Sequence, residues 1–139
     1  MEFKYTEEIT TQEYNYLRNS VGWGSVCEEQ AKRGLENSAY TLSCITEGKK
    51  VGFCRLIWDG GYIAFLADVM VLPEYQGMGI GKTLVEKSIK YLCQQKKEGW
   101  RIKIVLTSSL GKEGFYEQFG FEKRPNANAG AGMDLWLDE

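Results

Sequence analysis

The sequence contains no histidine, and this absence excludes more chemistry than any other feature of its composition. A Ser-His-Asp or Cys-His catalytic arrangement requires the missing residue, and so does a histidine-ligated zinc site. Proton transfer therefore falls to Asp, Glu, Tyr, Lys, Cys or water. The four cysteines, Cys27, Cys44, Cys54 and Cys93, form no C-x-x-C pair. Thioredoxin chemistry and zinc ribbons are therefore unsupported, and we expect no metal site.

Long apolar runs and an excess of basic charge are also missing. Between Asp59 and Asp68 lie only eight uncharged residues, which is too short for a membrane span. The acidic N-terminus lacks the apolar core of a signal peptide. Lys plus Arg (17) nearly balance Asp plus Glu (19). We therefore expect a reduced, cytoplasmic protein that spans no membrane and binds no nucleic acid.

Three cysteines lie among apolar neighbours, and we interpret Cys44, Cys54 and Cys93 as free core cysteines. Without a histidine to activate a thiol, a covalent catalytic route through Cys54 or Cys93 is disfavoured.

The 139 residues, 43% hydrophobic and 26% charged, have the composition of one globular domain over residues 1–139. Two alternating runs joined by Glu47-Gly48-Lys49-Lys50 predict a hairpin, and a nearly continuous apolar strand follows them. An amphipathic helix comes next. The predicted strands cover residues 2–6, 40–46, 51–58, 62–72, 101–107 and 133–137. Of the main predicted helices, the first ends at residue 19, the second covers residues 81–95 and the third covers residues 111–119. This order predicts a mixed α/β domain.

A glycine-rich segment lies where the buried strand passes into the helix. It reads Gln76-Gly77-Met78-Gly79-Ile80-Gly81-Lys82-Thr83. A strand-to-helix junction exposes several backbone N–H groups, and the helix dipole adds about half a positive charge there. Glycines let a phosphate approach the main chain closely. The segment is therefore either an anion site or a purely structural turn.

The spacing of the segment separates the known phosphate loops. A Walker A loop needs its first glycine where Gln76 stands, although the segment ends correctly in Gly81-Lys82-Thr83. The dinucleotide fingerprint fails because Lys82 occupies the position of its third glycine. Because each pattern misses by only one residue, a P-loop nucleotide binder is disfavoured but is kept as an alternative.

The pattern Gln76-x-x-Gly79-x-Gly81, preceded by Val71-Leu72-Pro73-Glu74-Tyr75, resembles the acetyl-CoA signature of the GCN5-related N-acetyltransferases, the GNAT family. A second block, Gly114-Phe115-Tyr116-Glu117-Gln118-Phe119-Gly120-Phe121, is similar to that family's closing helix and following strand. Two blocks in the correct order are more specific than either alone. The resemblance covers essentially the whole chain. It implies a single α/β domain of the acyl-CoA N-acyltransferase fold, with a mixed twisted sheet of six or seven strands flanked by helices.

The resemblance also implies how the cosubstrate acetyl-CoA binds. In that family the N–H groups of the glycine-rich loop bind the pyrophosphate of coenzyme A, and the preceding strand pairs with the pantetheine arm. The matching residues here are Gln76, Gly77, Met78, Gly79, Ile80, Gly81, Lys82 and Thr83 in the loop and Val69, Met70 and Val71 in the strand. A backbone N–H near Met70 or Val71 would polarise the thioester carbonyl. Ser109 stands where many members have a cofactor-contacting asparagine, and it is either such a contact or a helix cap.

Two residues are catalytic candidates. Tyr116 stands at the position of the tyrosine that, in the family, donates a proton to the departing thiolate; its alternative is a core aromatic. Asp68 interrupts the apolar run 62–72, where a carboxylate is costly unless it is hydrogen-bonded, paired or functional. We predict that Asp68 is a general base or an amine anchor, with a purely structural role as its alternative.

The sequence thus predicts an enzyme that transfers an acetyl group from acetyl-CoA directly to a primary amine, without a covalent enzyme intermediate. A small-molecule acceptor is favoured over a protein. A non-catalytic acyl-CoA sensor of the same fold is the alternative from another functional class. Dimers are common in the family, so a homodimer is one expected state, although no residue of the sequence specifies it.

Overall fold

The computed structural model describes residues 1–138, and these divide into two compact units. The first unit, Met1–Leu106, contains the sheet, and the second begins at Thr107. The strands are β1 (Lys4–Thr6), β2 (Tyr40–Thr46), β3 (Lys49–Trp58), β4 (Ile63–Val71) and β5 (Lys103–Val105). The helices are α1 (Thr11–Ser20), α2 (Glu28–Glu36), α3 (Ile80–Gln95) and, in the second unit, α4 (Glu113–Glu117). A single domain over residues 1–139 stays a prediction.

The five strands form one mixed sheet in the order β1-β2-β3-β4-β5. Neighbours are antiparallel from β1 to β4, whereas β5 runs parallel to β4. A parallel pair needs a crossover, and here a 3-10 turn (Pro73–Tyr75) and α3 supply it. The crossover places the first residue of α3 shortly after the C-terminal end of β4.

Turn chemistry explains the β2–β3 hairpin. Glu47 and Gly48 have φ angles of 51° and 76°, as a two-residue type I′ turn requires. Thr46 and Lys49 form the last pair of the ladder on either side of them. The predicted hairpin is confirmed, but β3 begins at Lys49, two residues earlier than expected, because the turn needs only two residues.

Alternation of side chains along β3 assigns the helices to the two faces of the sheet. Phe53 meets the ring of Tyr14 of α1 edge-on at 5.6 Å, and Arg55, on the same face, donates to a carbonyl of α2. Cys54 lies on the opposite face, where its Sγ is 3.2 Å from Ser88 Oγ of α3. Therefore α1 and α2 cover one face, and α3 covers the other.

The core lies between the sheet and these helices. Its largest fully buried side chains are Phe53, Leu17, Leu56, Met70, Leu72, Ile80, Leu84, Val51 and Val85. Burying one such side chain contributes about 1.5–3 kcal/mol. Because Leu72 and Ile80 both belong to this core, the segment between β4 and α3 is anchored at both ends.

The α/β fold class is confirmed, but the sheet has five strands among the described residues instead of six or seven. The strand predicted at residues 133–137 is wrong. Met133, Leu135 and Leu137 do alternate, but they are 93%, 83% and 90% exposed and pair with no strand in the described chain. Alternation produces a strand where a buried face and a neighbouring ladder are both available, and here neither is present.

Two further predicted elements are shorter than expected. The helix predicted at residues 111–119 covers Glu113–Glu117, since Gly111 and Gly120 have φ angles of 83° and 97°, outside the helical region. The strand predicted at residues 101–107 covers Lys103–Val105. Within residues 1–138, this short β5 leaves most of β4 without a neighbouring strand on one side.

Candidate cofactor-binding and catalytic site

The glycine-rich segment forms an open turn before α3. Gly77 and Gly79 have φ angles of 80° and 84°, in the left-handed region that favours glycine. Gly79 is the N-cap of α3, and no side chain caps this end of the helix. The N–H groups of the first helical turn have no acceptor inside a helix. They are therefore left for another partner.

The backbone N–H groups at the two ends of the loop already have acceptors within the chain. Gln76 N–H donates to the carbonyl of Pro73 at 3.3 Å, and Thr83 N–H donates to the carbonyl of Gly79 at 3.1 Å. Thr83 Oγ1 donates to that carbonyl as well. Among the described residues, the N–H groups of residues 77–82 make no such bonds. Of the eight loop residues predicted to bind the pyrophosphate, the six at positions 77–82 therefore have free backbone donors.

The charge around the turn favours an anion. The first turn of α3 has no acidic residue, and Lys82 lies exposed within it. Residues 76–79 are exposed as well, so their main chain is accessible. The sixteen-residue α3 directs the positive end of its macrodipole at the loop. The predicted pyrophosphate-binding residues are thus brought together at a helix N-terminus suited to phosphate.

β4 extends beyond its neighbour β5. It pairs with β5 at Ile63, Ala64 and Phe65, whereas residues 66–71 have no strand on that side within the described chain. An unpaired edge presents N–H and C=O groups to an amide-bearing ligand. The residues predicted to pair with the pantetheine arm, Val69, Met70 and Val71, belong to the segment of β4 that runs along this free edge.

Hydrogen bonds on the other side of β4 show which groups face the free edge. Leu72 N–H donates to Val51 of β3 at 2.9 Å, and alternation turns Met70 the same way. Val71 therefore faces the free edge, where its carbonyl accepts a hydrogen bond from Gln76 Nε2 at 3.0 Å. Of the two residues predicted to polarise a thioester carbonyl, Val71 rather than Met70 directs its N–H there.

Asp68 lies at an irregular point of β4, and its carboxylate is engaged. Oδ2 accepts hydrogen bonds from the Tyr14 hydroxyl at 2.5 Å and from Arg55 Nε at 2.7 Å. Burial raises the pKa of Tyr14, and its hydrogen bond to Asp68 raises that pKa further, so Tyr14 is a neutral donor. These partners explain how a carboxylate lies in an apolar strand.

Sequence reasoning did not identify Tyr14 or Arg55 as a partner of Asp68. For Arg55 a signal existed: it interrupts the apolar run of β3 as Asp68 interrupts that of β4. Opposite charges inside neighbouring buried strands indicate a pair. Tyr14 gave no such signal, because it lies on the apolar face of α1 beside Leu17.

Tyr116 and Ser109 belong to the second unit. Tyr116 lies in α4 with its ring edge-on to those of Phe115 and Phe121, at 5.0 and 6.1 Å between centroids. Ser109 is exposed. The helix-cap alternative for Ser109 is wrong, because the N-cap of α4 is Lys112 and no side chain caps that helix. The catalytic role of Tyr116 and the cofactor contact of Ser109 stay predictions.

The buried cysteines are held as thiols. Burial raises the pKa of Cys54 to about 12 and also raises that of Cys44. A thiol with such a pKa is not a nucleophile at neutral pH. Cys93, by contrast, is exposed, so its interpretation as a core cysteine is wrong. In α3 its neighbour Leu92 points into the core instead.

Residues 1–138 contain neither a membrane-spanning helix nor a cluster of metal ligands. No helix there is long and apolar enough to cross a membrane. No group of three or more acidic or cysteine side chains gathers where a metal ion would bind.

The chain is similar to known proteins in sequence. The family described as "Acetyltransferase (GNAT) domain" matches residues 37–123. The chain is 32% identical over 128 residues to the uncharacterized N-acetyltransferase ycf52 of Pyropia yezoensis, covering 89% of this chain and 71% of that protein. It is 31% identical over 114 residues to serotonin N-acetyltransferase 2, chloroplastic, of Oryza sativa subsp. japonica. That match covers 79% of this chain and 55% of the rice protein.

The fold is also shared with a solved structure. A GNAT family acetyltransferase of Streptococcus pneumoniae TIGR4 superposes with a TM-score of 0.78 at 26% identity, covering 99% of this chain and 97% of that one. The P-loop alternative is therefore wrong. A cytoplasmic location stays a prediction, since the rice relative is named as chloroplastic. Residues 37–123 contain β4, the glycine-rich loop and Tyr116, and this match over more than half of the chain shows that the protein belongs to the GNAT family and is an N-acetyltransferase of that type.

Proposed function

We propose that this enzyme transfers an acetyl group from acetyl-CoA to the primary amine of a small molecule. The observation that carries the proposal is that two binding features are continuous in the chain. The free edge of β4 leads through the 3-10 turn into the uncapped N-terminus of α3. A strand edge suits an amide-bearing arm, and a helix N-terminus suits a diphosphate. Coenzyme A carries these groups in the same order.

The phosphates and the pantetheine amides of acetyl-CoA then have partners in the chain. The free N–H groups of residues 77–82 bind the pyrophosphate, and Lys82 offers a positive charge to an outer phosphate. Val69 and Val71 pair with the pantetheine amides along β4. The Ser109 hydroxyl supplies a further contact.

The reaction is a direct transfer. The neutral amine nitrogen attacks the thioester carbonyl carbon, so that a C–N bond forms and the C–S bond breaks. Val71 N–H donates to the carbonyl oxygen, where negative charge develops. Tyr116 donates its hydroxyl proton to the departing thiolate, since a phenol and a thiol have comparable proton affinities.

The proton of the attacking amine needs an acceptor as well. Asp68, as base or amine anchor, and a chain of water molecules are the candidates. A base role requires Asp68 to exchange part of its contact with Tyr14 and Arg55 for the substrate. Because its carboxylate is already engaged by Tyr14 and Arg55, these contacts favour a role other than proton transfer.

A small amine is favoured as acceptor by two observations. The rice relative is named for serotonin, an arylalkylamine. A groove of about 410 Å³ lies between α1 and the start of α2, and it includes one carboxylate, that of Glu28. Such a groove would accept a cationic amine. It is lined by Thr11, Gln12, Asn15, Tyr16, Asn19 and Glu28.

Thermal melting tests the donor. A ligand at about 100 times its dissociation constant adds roughly 2.7 kcal/mol, which moves the midpoint by several degrees. We expect acetyl-CoA and free coenzyme A to raise the midpoint, and ATP with Mg²⁺ to leave it unchanged. A shift with ATP alone would overturn the proposed donor.

Thiol release from acetyl-CoA tests the acceptor. The panel comprises serotonin, a polyamine, an aminoglycoside and a lysine-containing peptide. We expect release with a small amine. Release with the peptide alone would overturn the acceptor class, and binding without release to any amine would favour the acyl-CoA sensor.

A further inference from the structure

Asp68 has a backbone conformation that side chains rarely adopt. Its φ is +56°, in the left-handed region, within β4. The pairing of β4 with β3 also breaks at this point: Phe53 lies opposite Met70, but Arg55 lies opposite Ala67. β4 thus has one residue more than β3 between these pairs, which is a β-bulge. Asp tolerates the left-handed conformation better than most residues.

The bulge reverses which residues of β4 face the free edge. Before it, Lys103 N–H of β5 donates to the Tyr62 carbonyl, so alternation directs Ala64 and Leu66 to the β5 side. Without a bulge, Met70 would face that side too. After the bulge, Val69 and Val71 face it instead, because Leu72 bonds to β3. The direction of the donors at the proposed thioester site therefore depends on Asp68.

The Asp68 carboxylate is held from three directions. We call Tyr14, Arg18, Arg55 and Asp68 the Asp68 cluster. Tyr14 and Arg55 both donate to Oδ2, and Arg18 Nη1 lies 3.7 Å from Oδ1. The charged side chains are only 14–18% exposed, so water competes weakly for these contacts.

The partners of Asp68 are fixed in turn. Arg55 Nη1 donates to the Gly34 carbonyl in the last turns of α2 and to Ser38 Oγ just beyond this helix, both at 3.2 Å. Arg18 Nε donates to the Gly24 carbonyl at 2.8 Å. The cluster thus connects the bulge to α1, to α2 and to the loop between them, so that local slippage of β4 would break contacts in all three.

We propose that the Asp68 cluster is a positioning device, which locks the β4 bulge and thereby directs Val69 and Val71 N–H toward the acyl thioester. Asp68, Tyr14 and Arg55 act here through the backbone of β4, without touching the reacting atoms. The inference rests on the proposed function, because the direction of these donors matters for catalysis if acetyl-CoA lies along the free edge.

Acetyl-CoA labelled with ¹³C at the acetyl carbonyl is the probe. A hydrogen bond to this carbonyl moves its resonance, and loss of the bond returns the resonance toward that of free acetyl-CoA. In the wild-type protein we expect a displaced resonance on binding. In Tyr14→Phe, which loses a single hydroxyl, we expect the displacement to shrink.

Two substitutions of Asp68 separate positioning from proton transfer. Asp68→Asn keeps an acceptor oxygen and a residue that tolerates the left-handed conformation, so it should retain most of the displacement. Asp68→Ala keeps neither and should lose it, with turnover falling by about 10²-fold, as expected for a misplacement of about 1 Å. If Asp68 acted by proton transfer alone, both variants would lose turnover equally and both would keep the wild-type resonance.

Tyr91→Phe is the matched control. It also removes a tyrosine hydrogen bond, from the hydroxyl to the Ala39 carbonyl at 3.1 Å, but from α3 on the other face of the sheet. It should reduce stability without moving the resonance. Equal resonances in Tyr14→Phe, Asp68→Ala and wild type would overturn the inference. Failure of the wild-type protein to bind acetyl-CoA would instead overturn the proposed function.

Discussion

Gly52 of β3 and Ile80 of α3 approach so closely that the position leaves no room for a side chain. A Cβ built at Gly52 would lie 2.8 Å from Ile80 Cγ2, closer than real Cβ contacts. Ile80 is fully buried and is the first residue of α3, directly after the N-cap Gly79. The glycine in β3 therefore sets how closely the glycine-rich loop lies against the sheet.

We expect Gly52→Ala to weaken coenzyme A binding as well as stability. The added methyl group displaces Ile80 and with it the first turn of α3, whose N–H groups form the proposed phosphate site. Overpacking of this kind costs about 1–3 kcal/mol. Urea unfolding measures the stability, and calorimetry measures the dissociation constant for free coenzyme A.

Ile80→Ala supplies the matched test of this contact. It removes Cγ2, so the double variant Gly52→Ala/Ile80→Ala should be less destabilised than the sum of the two single variants. Additive losses, together with an unchanged affinity for coenzyme A, would show that the contact does not position the loop.

Lys82→Ala should weaken coenzyme A binding by about 1.4-fold to fivefold, since an exposed charge–charge contact contributes about 0.2–1 kcal/mol. The loss should shrink as salt is added, because salt screens exposed charges. Lys90→Ala is the control, since Lys90 is exposed on the same helix but lies eight residues farther from the loop. Equal affinities of the two variants at low salt would contradict a role for Lys82.

The elements that position the phosphate site could be predicted from local signals. The strand expected at residues 62–72 is Ile63–Val71, and the helix expected at residues 81–95 is Ile80–Gln95. The apolar residues of the strand, the glycine-rich break and the helical period are each patterns of neighbouring residues in the sequence. Sequence patterns therefore predict this part of the site almost completely.

The Asp68 cluster could not be predicted in the same way. Tyr14 and Asp68 are 54 positions apart, and no local pattern pairs a helical tyrosine with a strand carboxylate. A bulge is likewise a property of two paired strands, because it exists only relative to the register of the partner. The sequence indicated that Asp68 was unusual, whereas the partners that make it so emerge from the tertiary structure.

Tyr116→Phe should lower turnover by roughly 10²–10⁴-fold with little change in coenzyme A affinity, the range for loss of a general acid. Phenylalanine retains the ring that packs against Phe115 and Phe121, so the variant removes the hydroxyl alone. Steady-state rates with the best amine from the acceptor panel, and calorimetry with coenzyme A, provide the two measurements. A parallel loss of affinity and turnover would indicate a folding effect, and unchanged turnover would remove Tyr116 from the mechanism.

Cys54 should make stability depend on pH in alkaline solution. Burial raises the pKa of its thiol from the ordinary 9.0 to about 12, so above pH 9 the unfolded chain loses this proton and the folded chain keeps it. The contribution is therefore fully present below about pH 9 and is lost as the pH rises toward 12. For this one group the free energy of unfolding should fall by up to about 1.4 kcal/mol per pH unit.

Urea unfolding at pH 7, 9 and 10 measures this slope. Cys54→Ala should unfold more easily than wild type at pH 7, because removal of the buried sulfur atom leaves a void. The stability of this variant should nevertheless fall less than that of wild type between pH 9 and 10. Cys93→Ala, which alters an exposed thiol, should retain the wild-type slope. If Cys54→Ala had that slope as well, the Cys54 thiol would ionise as readily in the folded protein as in the unfolded chain, and a covalent route through it would regain support.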